Sequence, residues 1–173
     1  MDRPIVTLIA AVSSDGFISR GRGIPWDLPR DRAFFRQHTA GRWLLLGRTT
    51  YDEMTGWFVD HTPLVLSRDN TFQPSPGYRV NTVPEAIAMA TAAGVDELMV
   101  CGGGQVYALA LPYAQKLLIT RVDTALGGGV PFPVLPPKAW CTEVTATHPP
   151  DAQHAFALRF ETLTRARQDA PES

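Results

Sequence analysis

Short, nearly continuous apolar runs recur along the chain: residues 5–12 (IVTLIAAV), 43–46 (WLLL), 63–67 (PLVLS), 97–101 (ELMVC) and 116–122 (KLLITRV). Each has the length of a strand and lacks the alternation of a half-buried one, so each predicts a strand covered on both faces. Between them the pattern lengthens to helical spacing. Residues 28–38 predict a helix, with Asp27 as its N-cap and Pro29 in the first turn. Gly47-Arg48-Thr49-Thr50 predicts a turn into a short helix reaching residue 54. Thr82-Val83-Pro84-Glu85 has capping-box spacing ahead of an Ala-rich helix that Gly94 stops. Gly102-Gly103-Gly104 turns into a helix over 105–111, ended by Pro112.

Two stretches break this rhythm. Residues 13–23 carry Gly16, Gly21 and Gly23 and predict a loop free to move. The last third opens with Gly127-Gly128-Gly129 and a Pro-rich loop over 131–137, then alternates over 142–147 and 155–163 as an antiparallel edge hairpin does. Strands alternating with helices predict one α/β domain over residues 1–164. It has a mostly parallel central sheet flanked by helices, an antiparallel C-terminal edge hairpin, and ligands at the carboxyl ends of its strands. Residues 165–173 read as a polar, frayed tail.

Composition narrows the partners. With 173 residues, 45% of them apolar and 19% charged, the chain fits one domain with a sizeable core. A net charge of −1 and the lack of a Lys/Arg-rich run leave no electrostatic footprint for nucleic acid or an anionic membrane. No run approaches the roughly 18 apolar residues of a membrane span, and the first residues lack the pattern of a signal peptide. A cytoplasmic monomer acting on a small molecule is the expectation. Cys101 and Cys141 match no metal or redox spacing and read as two reduced, buried thiols. His38, His148 and His154 show no ligand spacing, so structural or surface roles are expected and no metal.

The chemistry concentrates in Ile24-Pro25-Trp26-Asp27-Leu28-Pro29-Arg30-Asp31, which runs into Phe34 and Phe35. Asp31 falls early in the helix, on a face shared with aromatic rings, and a carboxylate there is either partnered or costly. Taken alone it also reads as a solvated acid complementing the helix dipole. Gly102-Gly103-Gly104 follows a buried strand and opens a helix, a place where backbone N–H groups can face a pyrophosphate. It is not the Rossmann fingerprint, since Tyr107 stands where the third glycine would be, and alone it is a plain tight turn. Arg48 with Thr49 and Thr50, and Ser67-Arg68 at the end of the third strand, supply guanidinium and hydroxyl groups suited to phosphate.

The order of these pieces is more specific than any one of them. With I-P-W-x-L-P-x-D-x-x-x-F, then G-R-T-T-Y, L-S-R, C-G-G-G-x-V-Y, L-x-I-T-R and P-F-P, the chain resembles the dihydrofolate reductase family over nearly its whole length. The resemblance implies an eight-stranded sheet and NADPH-dependent reduction of 7,8-dihydrofolate to tetrahydrofolate. It makes Asp31 the carboxylate that hydrogen-bonds the 2-amino group and N3 of the pterin, with Thr120 in the same network. Trp26 and Ile24 become loop residues closing over the nicotinamide and substrate. Ile9 and Phe35 face the pterin, while Met54 and Phe58 line the aminobenzoyl region. Gly47, Arg48, Thr49, Thr50, Ser67 and Arg68 fall on cofactor phosphate and ribose positions. Ala11 and Ile18 join them, as do Cys101, Gly102, Gly103, Gly104, Gln105, Val106 and Tyr107 on the pyrophosphate and nicotinamide side. A cis peptide is implied at Gly102-Gly103.

Hydride transfer to an imine carbon is easier when the adjacent nitrogen gains a proton, and no acid in this chain falls beside that nitrogen. Asp31 is therefore expected to act at a distance, its charge favouring the protonated pterin while water delivers the proton. Burial should push its pKa up. Several positions depart from the family pattern. His61 stands where many members grip the substrate's glutamate tail with a basic residue. The 127–129 loop lacks the acid that ties it to the mobile loop in some bacterial members, and Ser19 replaces a glycine. Arg32 occupies a commonly apolar position, so Arg32 or Arg36 offers a substitute contact for the tail. Two other readings stay open: a reductase of a tailless pterin or of a pyrimidine intermediate of flavin synthesis, and a nucleotide-binding module without catalysis.

Overall fold

In the computed structural model, which describes residues 2–167, the apolar runs become the inner strands of one sheet. In chain order the elements are β1 (Ile5–Ser13), β2 (Phe17–Ser19), α1 (Pro29–Thr39), β3 (Trp43–Gly47), α2 (Arg48–Glu53), β4 (Thr62–Leu66), β5 (Tyr78–Val80) and α3 (Val83–Ala92). They continue with β6 (Glu97–Gly102), α4 (Gly104–Ala110), a 3₁₀ turn (Leu111–Tyr113), β7 (Lys116–Val122), β8 (Val130–Pro131), β9 (Trp140–His148) and β10 (Leu158–Arg165). The main sheet has eight strands in the order β5-β4-β3-β6-β1-β7-β10-β9. Its pairs are parallel from β5 through β7 and antiparallel at β7-β10-β9, giving the expected edge hairpin.

Burial on both faces explains the unbroken apolar runs. Leu44 and Leu46 point to one side, against Tyr51, Phe34 and Phe35 of α1 and α2. Leu45 points to the other, against Ala86, Ala90, Val106 and Ala110 of α3 and α4. All three leucines are fully buried, worth roughly 1.5–3 kcal/mol each.

The structure corrects several expectations. Asp27 does not cap α1: the N-cap is Leu28, without a side-chain bond, and the Asp27 carboxylate is drawn instead to the Arg32 guanidinium. The Thr82 hydroxyl does accept the Glu85 N–H at 3.1 Å, yet the Glu85 carboxylate returns to the N–H of Asn81 rather than of Thr82. Cys141 is exposed, because β9 is an edge strand with residues 141–147 open to solvent; only Cys101 is a buried thiol. Arg165, expected to open a frayed tail, is instead part of the sheet. Arg165 ends β10, donates to the carbonyls of Ala114 and Leu111 at 2.7 Å, and lies over the Trp140 ring. Residues 168–173 lie outside the described residues. Within 13–23, expected to be irregular, β2 pairs with β8 as a separate two-stranded sheet. β5 is a further strand that no apolar run announces.

Candidate active site

The carboxyl ends of β3, β4 and β6, with the middle of β1, open onto a single cleft of about 1490 Å³. Pockets for one small ligand run to roughly 300–1,000 Å³, so this cleft has room for two. Its floor is Ile9 to Ala11 of β1 and Cys101 of β6. One wall is α1, with Asp31, Arg32, Phe35 and Arg36 turned toward the opening.

Asp31 sits in the first turn of α1 and is only partly exposed. Loss of hydration raises its pKa, and a hydrogen bond with the Thr120 side chain opposes that rise. Thr120 itself is buried behind the cleft on β7, opposite Ala11 of β1. The aromatic pair that follows divides its work: Phe34 packs on Phe160 inside the core at 4.9 Å, while Phe35 faces the cleft and tilts against Trp57 at 5.3 Å. Trp26 also lines the cleft, and its indole N–H is buried with no acceptor among the described residues. Such a donor is available to something that enters the cleft. Ile24 stands beside it at the rim, 79% exposed.

The other half of the cleft is built from turns that follow strands. Gly102 and Gly103 are joined by a cis peptide, and Gly103 caps α4. Gly102 has φ +107°, and a Cβ there would sit 3.0 Å from the Tyr107 ring, so only glycine fits. The Tyr107 hydroxyl donates to the Ile9 carbonyl at 2.6 Å, pinning α4 to β1. Gly103, Gly104, Gln105 and Val106 line this side, opposite Ile18. After β3 come Gly47, Arg48, Thr49 and Thr50; after β4 come Ser67 and Arg68, all at the cleft. Arg48 is held in place by Asp52, 3.2 Å from its Nε, and by the Phe72 ring 3.7 Å beneath its guanidinium.

Most of the chain has this architecture in common with known proteins. A family model described as Dihydrofolate reductase matches residues 5–165. The chain belongs to the dihydrofolate reductase family. It is 34% identical over 163 residues to dihydrofolate reductase type 3 of Salmonella typhimurium, covering 94% of this chain and 99% of that one. To the dihydrofolate reductase of Mycobacterium tuberculosis it is 41% identical over 125 residues, 70% of this chain and 74% of the other. The structure of dihydrofolate reductase from Enterococcus faecalis complexed with NADP(H) and RAB-propyl matches with a TM-score of 0.84 at 25% identity, over 94% of this chain and 97% of that one.

Within this dihydrofolate reductase fold, not every residue expected at the site reaches the cleft. Gly102 and Thr120 support it from behind, and Met54 lines it, but Phe58 and His61 do not. Phe58 packs on Tyr51 at 5.4 Å instead. The His61 side chain is 6% exposed and stacks on Trp57 at 4.7 Å, with Nδ1 accepting the Val59 N–H at 3.2 Å. Burial lowers its pKa, only partly offset by Asp60, so at neutral pH the ring carries no charge for a carboxylate. Trp57 takes the place at the cleft that the sequence assigned to its neighbours. No spacing signal marks it, since it lies past the end of α2 in an irregular turn.

The mobile-loop expectation also changes. The acid missing from the 127–129 loop is present on the other partner: Asp15 accepts the N–H of Leu126 at 3.0 Å and of Gly127 at 2.8 Å. Ser19 approaches the same loop, and a Cβ on Gly129 would lie 2.1 Å from the Ser19 carbonyl oxygen, so glycine alone permits the β2–β8 pairing.

Proposed function

We propose that this chain reduces 7,8-dihydrofolate to 5,6,7,8-tetrahydrofolate with NADPH, the pterin against Asp31 and the cofactor along the turns after β3, β4 and β6. The observation that carries this reading is Asp31: a carboxylate desolvated enough to have a raised pKa, beside the Thr120 side chain, and facing a cleft with room for two ligands. When bound, NADPH supplies the hydride, which forms the new C–H bond at the pterin imine carbon while the adjacent nitrogen takes a proton. The turns fit such a cofactor. A Cβ on Gly47 would press on Val106 at 3.2 Å, and one on Gly104 would meet Val130 at 2.6 Å, so glycine lets these turns pack closely at the cleft, where the N-terminus of α4 can face a phosphate.

Asp31 would accept hydrogen bonds from the 2-amino group and N3 of the pterin, and its charge would hold a proton on the ring. Trp26 would aim its unpartnered N–H at the substrate or at the water that delivers that proton. Ile9 and Phe35 would sandwich the ring, and Met54 and Trp57 the aminobenzoyl group. With His61 stacked away, the glutamate tail falls to Arg36 and Arg32 at the rim, of which Arg32 is already engaged by Asp27. Arg48 and Arg68 would receive the cofactor phosphate. A cytoplasmic monomer is the setting that fits the charge of −1 and the two unpaired cysteines; among the described residues no helix is long and apolar enough to cross a membrane.

A tailless dihydropterin is the second reading, favoured only by the withdrawal of His61. Loss of NADPH absorbance on adding dihydrofolate or a tailless dihydropterin decides between them: a higher kcat/KM for dihydrofolate supports the first, and the reverse order replaces it with the second.

A further inference from the structure

The first turn of α1 needs an acceptor that its own sequence does not supply. Leu28 offers no side-chain cap, Pro29 has no N–H, and the Asp27 carboxylate is turned to Arg32. The first free N–H of the helix is therefore that of Arg30, directly before Asp31. It donates to Nε2 of His154 at 3.1 Å, from a residue 124 positions away in the loop between β9 and β10. His154 is 2% exposed.

That bond fixes the ring's protonation pattern. Nε2 must present a lone pair to the N–H, so in the neutral imidazole the proton lies on Nδ1, which donates to Asp151 Oδ1 at 2.9 Å. The same carboxylate oxygen accepts the backbone N–H groups of His154 and Gln153, each at 2.8 Å, and His148 closes the cluster with Nε2 3.3 Å from Asp151 Oδ2. His148, Asp151 and His154 each bring a ligand atom within 4.8 Å of the others. Yet a cation on His154 Nδ1 would move the proton to Nε2, against the Arg30 N–H, so chelation and the helix bond exclude each other.

We propose that His154 is a positioning residue for Asp31: held by Asp151, it serves as the N-cap that α1 lacks and sets the first turn carrying the carboxylate. This rests on the reading of Asp31 as the substrate-binding acid. The side chain of that acid has Thr120 of β7 beside it, and the residue before it is held by His154 from the loop between β9 and β10.

Two substitutions separate the ends of the ring. His154→Gln places an acceptor where Nε2 was and can keep the Arg30 bond. His154→Asn keeps a donor for Asp151 but cannot reach Arg30. Single-turnover hydride transfer should fall by about fivefold in His154→Asn, the factor an ordinary cap represents, with a shifted pH midpoint and little change in KM. His154→Gln should stay within about twofold of the parent. If Asn and Gln behave alike, or if His154→Asn lowers only the melting temperature while rate and midpoint hold, the assignment is wrong. Should His154→Asn not fold, His154→Leu against His154→Gln makes the same comparison. Asp31→Asn is measured alongside: undiminished turnover there overturns the reading of Asp31, whereas a fall there with none in His154→Asn overturns only the positioning role.

Discussion

Asp15 and Gly127 are joined across two loops by a 2.8 Å hydrogen bond from the Gly127 N–H to Asp15 Oδ2, while Oδ1 takes the Leu126 N–H and the Ser13 hydroxyl. These bonds hold the Asp15 carboxyl down at about 2. They tether the segment that leads through Ile18 to Trp26, so a contact made away from the cleft sets where its rim residues stand.

Asp15→Asn should loosen this tether, because one orientation of the amide sets an N–H₂ against the Gly127 N–H and the other sets it against Leu126. The expected outcome is faster amide exchange at Phe17 and Val130 and a slower hydride step with the fold intact. Unchanged exchange at both residues would show that the β2–β8 pairing holds the loop unaided. The pH sign follows from a depressed carboxyl: the tether is complete above the unfolded-state value of about 3.9 and is lost as pH falls toward 2. The Gly127 amide resonance should titrate in that window.

Asp31 has the opposite sign. Its pKa is raised by burial, so the folded state resists its ionisation, and stability declines as pH rises from the unfolded value through the folded one. Asp31→Asn should therefore raise the melting temperature at neutral pH and leave it unchanged below about pH 4. Hydride transfer should fall by a factor on the order of 10². In the parent enzyme the rate should decline at high pH, as the single proton shared by Asp31 and the pterin is lost. Calorimetry and single-turnover kinetics on the same variant check both halves; a lower melting temperature with normal turnover would mark Asp31 as an ordinary helix-dipole acid.

How much of this was legible in the sequence depends on the range of the interaction. Leu44, Leu45 and Leu46 announced a strand covered on both faces because burial leaves its mark on every consecutive position. β5, with Tyr78 exposed, and the two-residue β8 leave no such mark, since their pairing is decided by the strand they meet. Asp31 stood out from its aromatic neighbours and Gly102 from its turn. Side-chain direction was harder: nothing in Trp57-Phe58-Val59-Asp60-His61 says that Trp57 faces the cleft and His61 stacks behind it. Local pattern offers only the nearest acid, Asp27, as the cap on α1, because an acceptor 124 residues away leaves no mark on it.

Arg48 and Arg68 give the cofactor its predicted preference. The acids near these strand ends, Asp52 and Asp69, both lie against Arg48, Asp52 at 3.2 Å and the cleft-lining Asp69 at 4.0 Å, so each is engaged by a guanidinium rather than left for a free ribose hydroxyl. Arg48→Ala or Arg68→Ala should weaken NADPH by about tenfold or more and NADH far less, read as kcat/KM for each. Equal efficiency with both cofactors in the parent enzyme would remove the phosphate role from both residues.

The glutamate tail gives the last test, because the residue in the tail-binding position and the residue at the cleft are different ones. His61 is neutral, stacked on Trp57 and already engaged by Val59, whereas Arg36 lines the opening on the same helix as Asp31 and is exposed. A guanidinium there can take a carboxylate bidentately at any working pH, and the contact is the same in ground and transition states. Arg36→Ala should raise KM for dihydrofolate by about tenfold with little change in kcat, and leave a tailless dihydropterin unaffected. His61→Ala should shift neither substrate selectively, and KM for dihydrofolate should not follow a histidine titration. If instead KM improves as pH falls from 7 to 5 and His61→Ala abolishes that slope, the His61 ring leaves its stack to meet the tail, and Arg36 is a bystander.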